Sequence, residues 1–191
     1  MDDKHLIERT VGSEELFKGK LLHAWRDTVT LPDGGMATRE YVVHPGAVVI
    51  VPLLDDGRVL LERQFRYPVQ RVMIEFPAGK LDLPGEGKLA CARRELLEET
   101  GYTAREWAHA GQLHPVIAYS TECIDIWFAR GLVDGGQRSL DHGEHLDVFT
   151  ATPEELFQWC RDGRVTDAKT LSCALWLQNV LTGTWQLDWR T

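Results

Sequence analysis

The chain has 191 residues, 43% of them hydrophobic, with 29 acidic and 21 basic side chains and a net charge of −8. That length suits one domain with room for a small appended lobe, and the apolar content excludes a disordered chain. The negative balance argues against a nucleic-acid binder held by a broad basic face. It leaves open a nucleotide substrate whose phosphates reach carboxylates through a divalent metal.

The opening Met1-Asp2-Asp3-Lys4-His5 is too polar for a signal peptide. The longest uncharged stretch, Leu171 to Leu187, contains Gln178, Asn179, Thr182, Gly183 and Thr184. It reads as a helix end and a turn, so no membrane span is expected. Cys91, Cys123, Cys160 and Cys173 are scattered without a CxxC pair, which points to neither a disulfide framework nor a zinc ribbon. A reduced, cytoplasmic protein is expected.

Short alternating runs fill residues 15–45, namely 16–21, 25–31 and 37–43. Pro32-Asp33-Gly34-Gly35 parts the second from the third, a hairpin signal because Gly tolerates positive φ. A small antiparallel lobe over 1–45 is expected, with the main domain over 46–191. Residues 47–54 form a continuous apolar run suited to a strand buried on both faces. Asp55-Asp56-Gly57 turns it into a strand at 59–66, and another is expected at 72–76. A helix over 88–100 stops at Gly101. A strand follows at 124–129, then a polar loop over 135–144. Thr152-Pro153-Glu154-Glu155 combines an N-cap, a first-turn Pro and first-turn acids. It opens a helix to about 161, and a last helix runs over about 167–181. The class is α+β, a layered α/β/α domain with a mixed sheet.

The helix over 88–100 carries the chemistry. At 100° per residue, Glu95, Glu98 and Glu99 fall within roughly 100° of arc. Like charges at i,i+4 destabilise a helix, and these three sit near its C-terminal end, where the macrodipole also disfavours them. Such a cluster asks for a cation, although Glu-rich helix faces are often plain solvated surface. Oxygen ligands without a Cys or His pair suit Mg2+, or Mn2+, rather than zinc. An ion so held withdraws charge from a pyrophosphate and makes water more acidic. Gly79 and Gly85 suit a loop whose backbone approaches that site, and Ala78 offers a carbonyl. Arg94 is placed to neutralise Glu86 or Glu98.

From Glu86 to Gly101 the residues Glu86, Arg94, Glu95, Leu96, Glu98, Glu99 and Gly101 fall at every fixed position of a known signature. They resemble the Nudix hydrolases: Gly, five residues, Glu, seven residues, Arg-Glu, aliphatic, any, Glu-Glu, any, Gly, aliphatic. Two departures stand out, since six residues separate Gly79 from Glu86 and Tyr102 replaces the final aliphatic. His44-Pro45-Gly46-Ala47, the run Glu62 to Pro68 and the run Glu75 to Asp82 are similar to the ADP-ribose pyrophosphatase branch. So is the N-terminal hairpin lobe, which the resemblance makes a dimerisation lobe exchanged between subunits of a homodimer.

The resemblance implies hydrolysis of a nucleoside diphosphate sugar, ADP-ribose first, to AMP and ribose 5-phosphate. GDP-mannose is the runner-up, and a non-catalytic sensor is the rival from another class. It makes Glu95 and Glu99 metal ligands, Glu98 a third or water-mediated one, and the Ala78 carbonyl another. Glu86 then supports the loop through Arg94. The catalytic base would come from the later loop Leu140 to His145, with Glu144 the choice and Asp141, Glu98 or His142 the alternatives. Arg39, Arg63 and Arg66 are candidates for the phosphates or terminal ribose, their planar forks suiting both. Arg63 could equally pair with Glu62 or Glu75. Glu75 and Glu122 complete the substrate candidates. Phe17, Trp25 and Tyr41 could stack on adenine or form dimer core.

Overall fold

The computed structural model describes residues 2–140 and 143–191, so the candidates Asp141 and His142 lie outside the described residues. The N-terminal runs form an antiparallel sheet of β1 (Arg9–Lys18), β2 (His23–Thr30) and β3 (Met36–Val42), in that order. β1 starts well before the expected run because it pairs along the whole of β2, from Arg9 opposite Thr30 to Lys18 opposite His23. All of β1 is exposed, so the ladder, not burial, holds it extended. Gly34, at φ +87°, closes the turn before β3.

The chain up to Pro45 forms one unit with Val116–Cys123, and the remainder, Gly46–Pro115 with Ile124–Thr191, forms a second. Val116–Cys123 joins the first because Val42 exchanges backbone hydrogen bonds with Tyr119 and Thr121, and Thr121 Oγ1 accepts from the His44 amide.

In the second unit, β4 (Ala47–Leu53), β5 (Val59–Arg66), β6 (Arg71–Glu75) and β7 (Ala78–Lys80) precede α1 (Lys88–Thr100). β8 (Tyr102–Leu113), β9 (Ile124–Asp134), β10 (Leu146–Ala151), α2 (Pro153–Arg161) and α3 (Ala168–Leu181) follow. The sheet runs β10-β5-β4-β9-β8, with β6 on β5 and β7 on β4. β4 and β9 are parallel and the other pairs antiparallel, so the sheet is mixed.

Alternation splits β4 between two layers. Val49 and Val51 pack with Leu61, Phe128, Leu156, Cys173 and Leu177, which belong to β5, β9, α2 and α3. Val48 and Ile50 pack with Cys91, Ala92 and Leu96 of α1 and with Trp107 and Ala129. One face thus carries α1 and the other α2 and α3, the α/β/α arrangement expected. No helix among the described residues is long and apolar enough to cross a membrane.

Three strands escape the sequence reading, the three-residue β7 on β4 among them. β8 is rich in Ala and poor in β-branched residues, with Thr103 its one example. It is held extended by pairing with β9 from Tyr102 opposite Asp134 to Leu113 opposite Ile124, with a register shift before Gly111. β10 is short and pairs with β5. The α2 start follows the sequence closely: Thr152 Oγ1 accepts from the Glu155 amide at 3.2 Å, and Glu155 Oε2 accepts from the Thr152 amide at 2.9 Å. Thr152→Ala, which removes half of this capping box, should lower stability by about 1 kcal/mol. Urea unfolding would register it as a lower midpoint at unchanged m-value.

Candidate active site

The helix is aimed by its apolar residues. Cys91, Ala92 and Leu96 are buried against the sheet, which puts Glu95 and Glu99 at the seam between helix and sheet and leaves Glu98 further out. Ahead of it, Pro84-Gly85 forms a turn in which the Glu86 amide donates to the Leu83 carbonyl at 3.1 Å and Gly85 has φ +79°. Pro second and a left-handed Gly third define a type II turn, and this local loop accommodates the additional residue between Gly79 and Glu86. Gly79 lies so close to the helix that a Cβ there would stand 1.8 Å from the Glu95 carboxyl carbon. Any side chain at 79 would displace Glu95.

Arg94 organises the outer acids. Its Nε and Nη2 donate to the two Glu86 oxygens at 2.9 and 3.0 Å, and its Nη1 donates to Glu95 at 2.7 Å and Glu98 at 2.9 Å. The fork therefore holds Glu86 and Glu98 together rather than one of them, and these hydrogen bonds keep the Glu86 carboxyl below its ordinary range. Glu99 turns inward, 3% exposed, and accepts a hydrogen bond from the Ala78 amide at 3.1 Å. Burial pushes Glu99 well above the usual carboxylate range, and the charges of Glu62, Glu95 and Glu144 add to the shift. Burial likewise lifts Glu95 to about 7 against the opposing pull of Arg94.

The sequence offers Glu62 only as a strand charge for Arg63, and the structure places it differently. Glu62 is fully buried, and burial raises it to about 8. The available signal was a Glu closing the strand run Val59-Leu60-Leu61 at an inward position. Glu144 joins this group: its charge acts on both Glu62 and Glu99, and it accepts from Gln64 Nε2 at 3.3 Å. Among the described residues no three His, Cys, Asp or Glu side chains close on a single point; Arg94 holds Glu95 and Glu98, while Glu99 accepts from the Ala78 amide. The donor set nonetheless fits a hard divalent cation: carboxylates at the helix–sheet seam, raised by burial and mutual repulsion, are what such an ion would stabilise.

The arginine candidates are distributed differently from expectation. Arg66 grips both oxygens of Glu75 at 2.7 and 2.8 Å, and Glu75 also pairs with Lys169. Arg63 pairs with neither Glu62 nor Glu75 but with Asp147 at 2.6 Å. Strand alternation turns Arg63 away from Glu62, and β10 places Asp147 directly opposite it. Arg39 is held by Glu8, and Glu122 lies 3.8 Å from His44. Arg39 and Glu122 belong to the first unit, Arg63, Arg66 and Glu75 to the second.

A layered mixed-sheet domain bearing an Arg-Glu-Leu-Leu-Glu-Glu helix beside a close-packed glycine defines a class of hydrolase. The NUDIX domain matches residues 43–172, and the nucleoside diphosphate sugar hydrolase N-terminal domain matches residues 8–42. The chain belongs to the Nudix family and is a Nudix hydrolase. An ADP-ribose pyrophosphatase of Bacillus subtilis (strain 168) is 36% identical over 176 residues, covering 92% of this chain and 95% of that protein. A methanol dehydrogenase activator of Bacillus methanolicus is 34% identical over 174 residues, covering 90% and 92%. The crystal structure of an ADP compounds hydrolase shares the fold, with a TM-score of 0.82 over 93% of this chain and 95% of that one at 22% identity.

Proposed function

We propose that the chain hydrolyses the diphosphate of a nucleoside diphosphate sugar, with ADP-ribose as first choice, adding water to give AMP and ribose 5-phosphate. The observation that carries the reading is the pair Glu95 and Glu99 at the helix–sheet seam, pressed against Gly79 and Ala78 and lifted by burial. The name of the Bacillus subtilis relative and the matching N-terminal domain support the substrate class.

In this reading Glu95 and Glu99, with Glu98 and the Ala78 carbonyl, hold Mg2+, for which Mn2+ substitutes. The ion supplies charge neutralisation of the diphosphate oxygens and acidifies water. Glu86 and Arg94 fix the rotamers of the acids through the fork described above. Glu144 takes the proton from the attacking water as the new P–O bond forms and the bridging P–O bond breaks. Arg66 answers the phosphates, and Glu75 sets the aim of Arg66; Arg63, turned to the opposite face, is left to Asp147.

A homodimer built through the lobe is part of the proposal, supported by the exposed apolar side chains Val11, Phe17, Leu21 and Leu22. A cytoplasmic location is supported by four free cysteines.

A substrate panel tests the reading. With Mg2+, ADP-ribose should yield AMP and ribose 5-phosphate faster than GDP-mannose, NADH or diadenosine polyphosphates are cleaved. EDTA should abolish turnover, and added Mg2+ or Mn2+ should restore it. Faster cleavage of GDP-mannose would reassign the substrate. Tight binding of ADP-ribose without turnover in either metal would make the chain a sensor.

A further inference from the structure

Among the described residues, Glu62 is the one whose two carboxylate oxygens are both buried and without a hydrogen-bond partner. It is 0% exposed. A carboxylate in that position is strongly disfavoured unless something compensates it. The nearby cations are committed elsewhere: Arg66 and Lys169 are bonded to Glu75, and neither reaches ion-pair distance of Glu62. Hydrogen bonding by the protein does not explain why this strand ends its apolar run in an acid.

The register says where the acid points. Val59 and Leu61 face the α2–α3 layer, so alternation turns Leu60 and Glu62 to the opposite face, the one covered by α1. Glu99 is the buried acid of α1 on that side. Gln64, the next residue on that face of β5, donates to Glu144 at 3.3 Å. Two buried carboxylates on the same face of the sheet, one from a helix and one from a strand, one of them unpartnered, form half of a hard-cation site.

We propose that Glu62 is an additional carboxylate facing the divalent cation held by Glu95 and Glu99, supplied by the sheet rather than by the signature helix. The inference rests on the divalent-metal reading given above and extends it to a residue outside the signature. With oxygen donors only, Mg2+ or Mn2+ is the cation class. Glu62 is thereby distinguished from Glu86, whose oxygens are taken by Arg94.

The experiment compares full-length wild type, Glu62→Gln and Glu62→Val by Mn2+ titration, followed by electron paramagnetic resonance, and by melting in EDTA and in Mn2+. Loss of partners that merely orient metal ligands costs 10–100-fold in affinity, so losing Glu62 should weaken Mn2+ at least about tenfold. It should also shrink the melting shift that Mn2+ produces. In EDTA both variants should melt at or above wild type, since an unpaired buried acid has gone. Wild-type Mn2+ affinity in a variant of raised EDTA stability would overturn the proposal and make Glu62 a protonated core acid. Failure of both variants to fold would also overturn it, because the acid would then be structurally required. If wild type itself bound no Mn2+, the metal reading would fall, and the inference with it.

Discussion

Glu99→Gln should lower kcat/KM for ADP-ribose by at least about 100-fold while leaving the fold intact. The size follows from the several kcal/mol that a bound metal supplies to a phosphoryl transition state, at about 1.4 kcal/mol per tenfold in rate. Gln preserves the volume of the side chain and can still accept the hydrogen bond from the Ala78 amide. What it removes is a charge at a position where burial and the neighbouring acids Glu62, Glu95 and Glu144 already oppose ionisation. The loss should therefore appear in kcat and in metal affinity, with the melting temperature in EDTA equal to or above that of wild type. A variant with unchanged kcat/KM at saturating Mg2+ would remove Glu99 from the metal set. A variant that lost activity through unfolding would instead show a lower melting temperature in EDTA, so the two causes separate.

The parts of the molecule legible in the sequence are those encoded over a few residues. α1 ends at Thr100 because Gly101 takes φ +78°, and α2 begins after Thr152 because cap, Pro and Glu are adjacent. β4 reads as doubly buried because every one of its first six residues is apolar and buried. The acidic face of α1 is visible for the same reason, as a helical period within five residues. What the sequence hides depends on partners far along the chain. β8 is a strand because β9 lies beside it. Arg63 chooses Asp147, eighty-four residues away, over Glu62 next to it. Glu62 looks like a strand charge available to Arg63 until the sheet turns it inward toward a helix whose position depends on Cys91, Ala92 and Leu96. Glu144 is a loop residue whose proximity to Glu99 depends on β10 pairing with β5.

The second large effect concerns Glu75, whose carboxylate ties β5 to α3 through Arg66 and Lys169. Glu75→Ala should destabilise the protein by about 3–5 kcal/mol, the range for stripping one partner from a buried pair. Lys169 carries most of this, since its side chain is 11% exposed and only Asp167, at 3.0 Å, would remain to it. Arg66, at 41% exposed, is better solvated and contributes less. Burial alone would raise the Glu75 carboxyl, but the Arg66 hydrogen bonds and the Lys169 charge outweigh it and hold the group below its ordinary value. The folded state thus binds the proton less readily than the unfolded chain. Stability from Glu75 is fully present above about pH 4.5 and is lost as pH falls through the lower folded value. The gap between wild type and Glu75→Ala should accordingly be widest at neutral pH and narrow in acid. Denaturant titrations at pH 7 and pH 3.5 measure it, and a gap independent of pH would mean that Glu75 acts by filling space rather than by charge. Replacing the pair together, Glu75→Gln with Lys169→Met, should cost less than Glu75→Ala alone, because the buried Lys169 ammonium is then removed along with its partner.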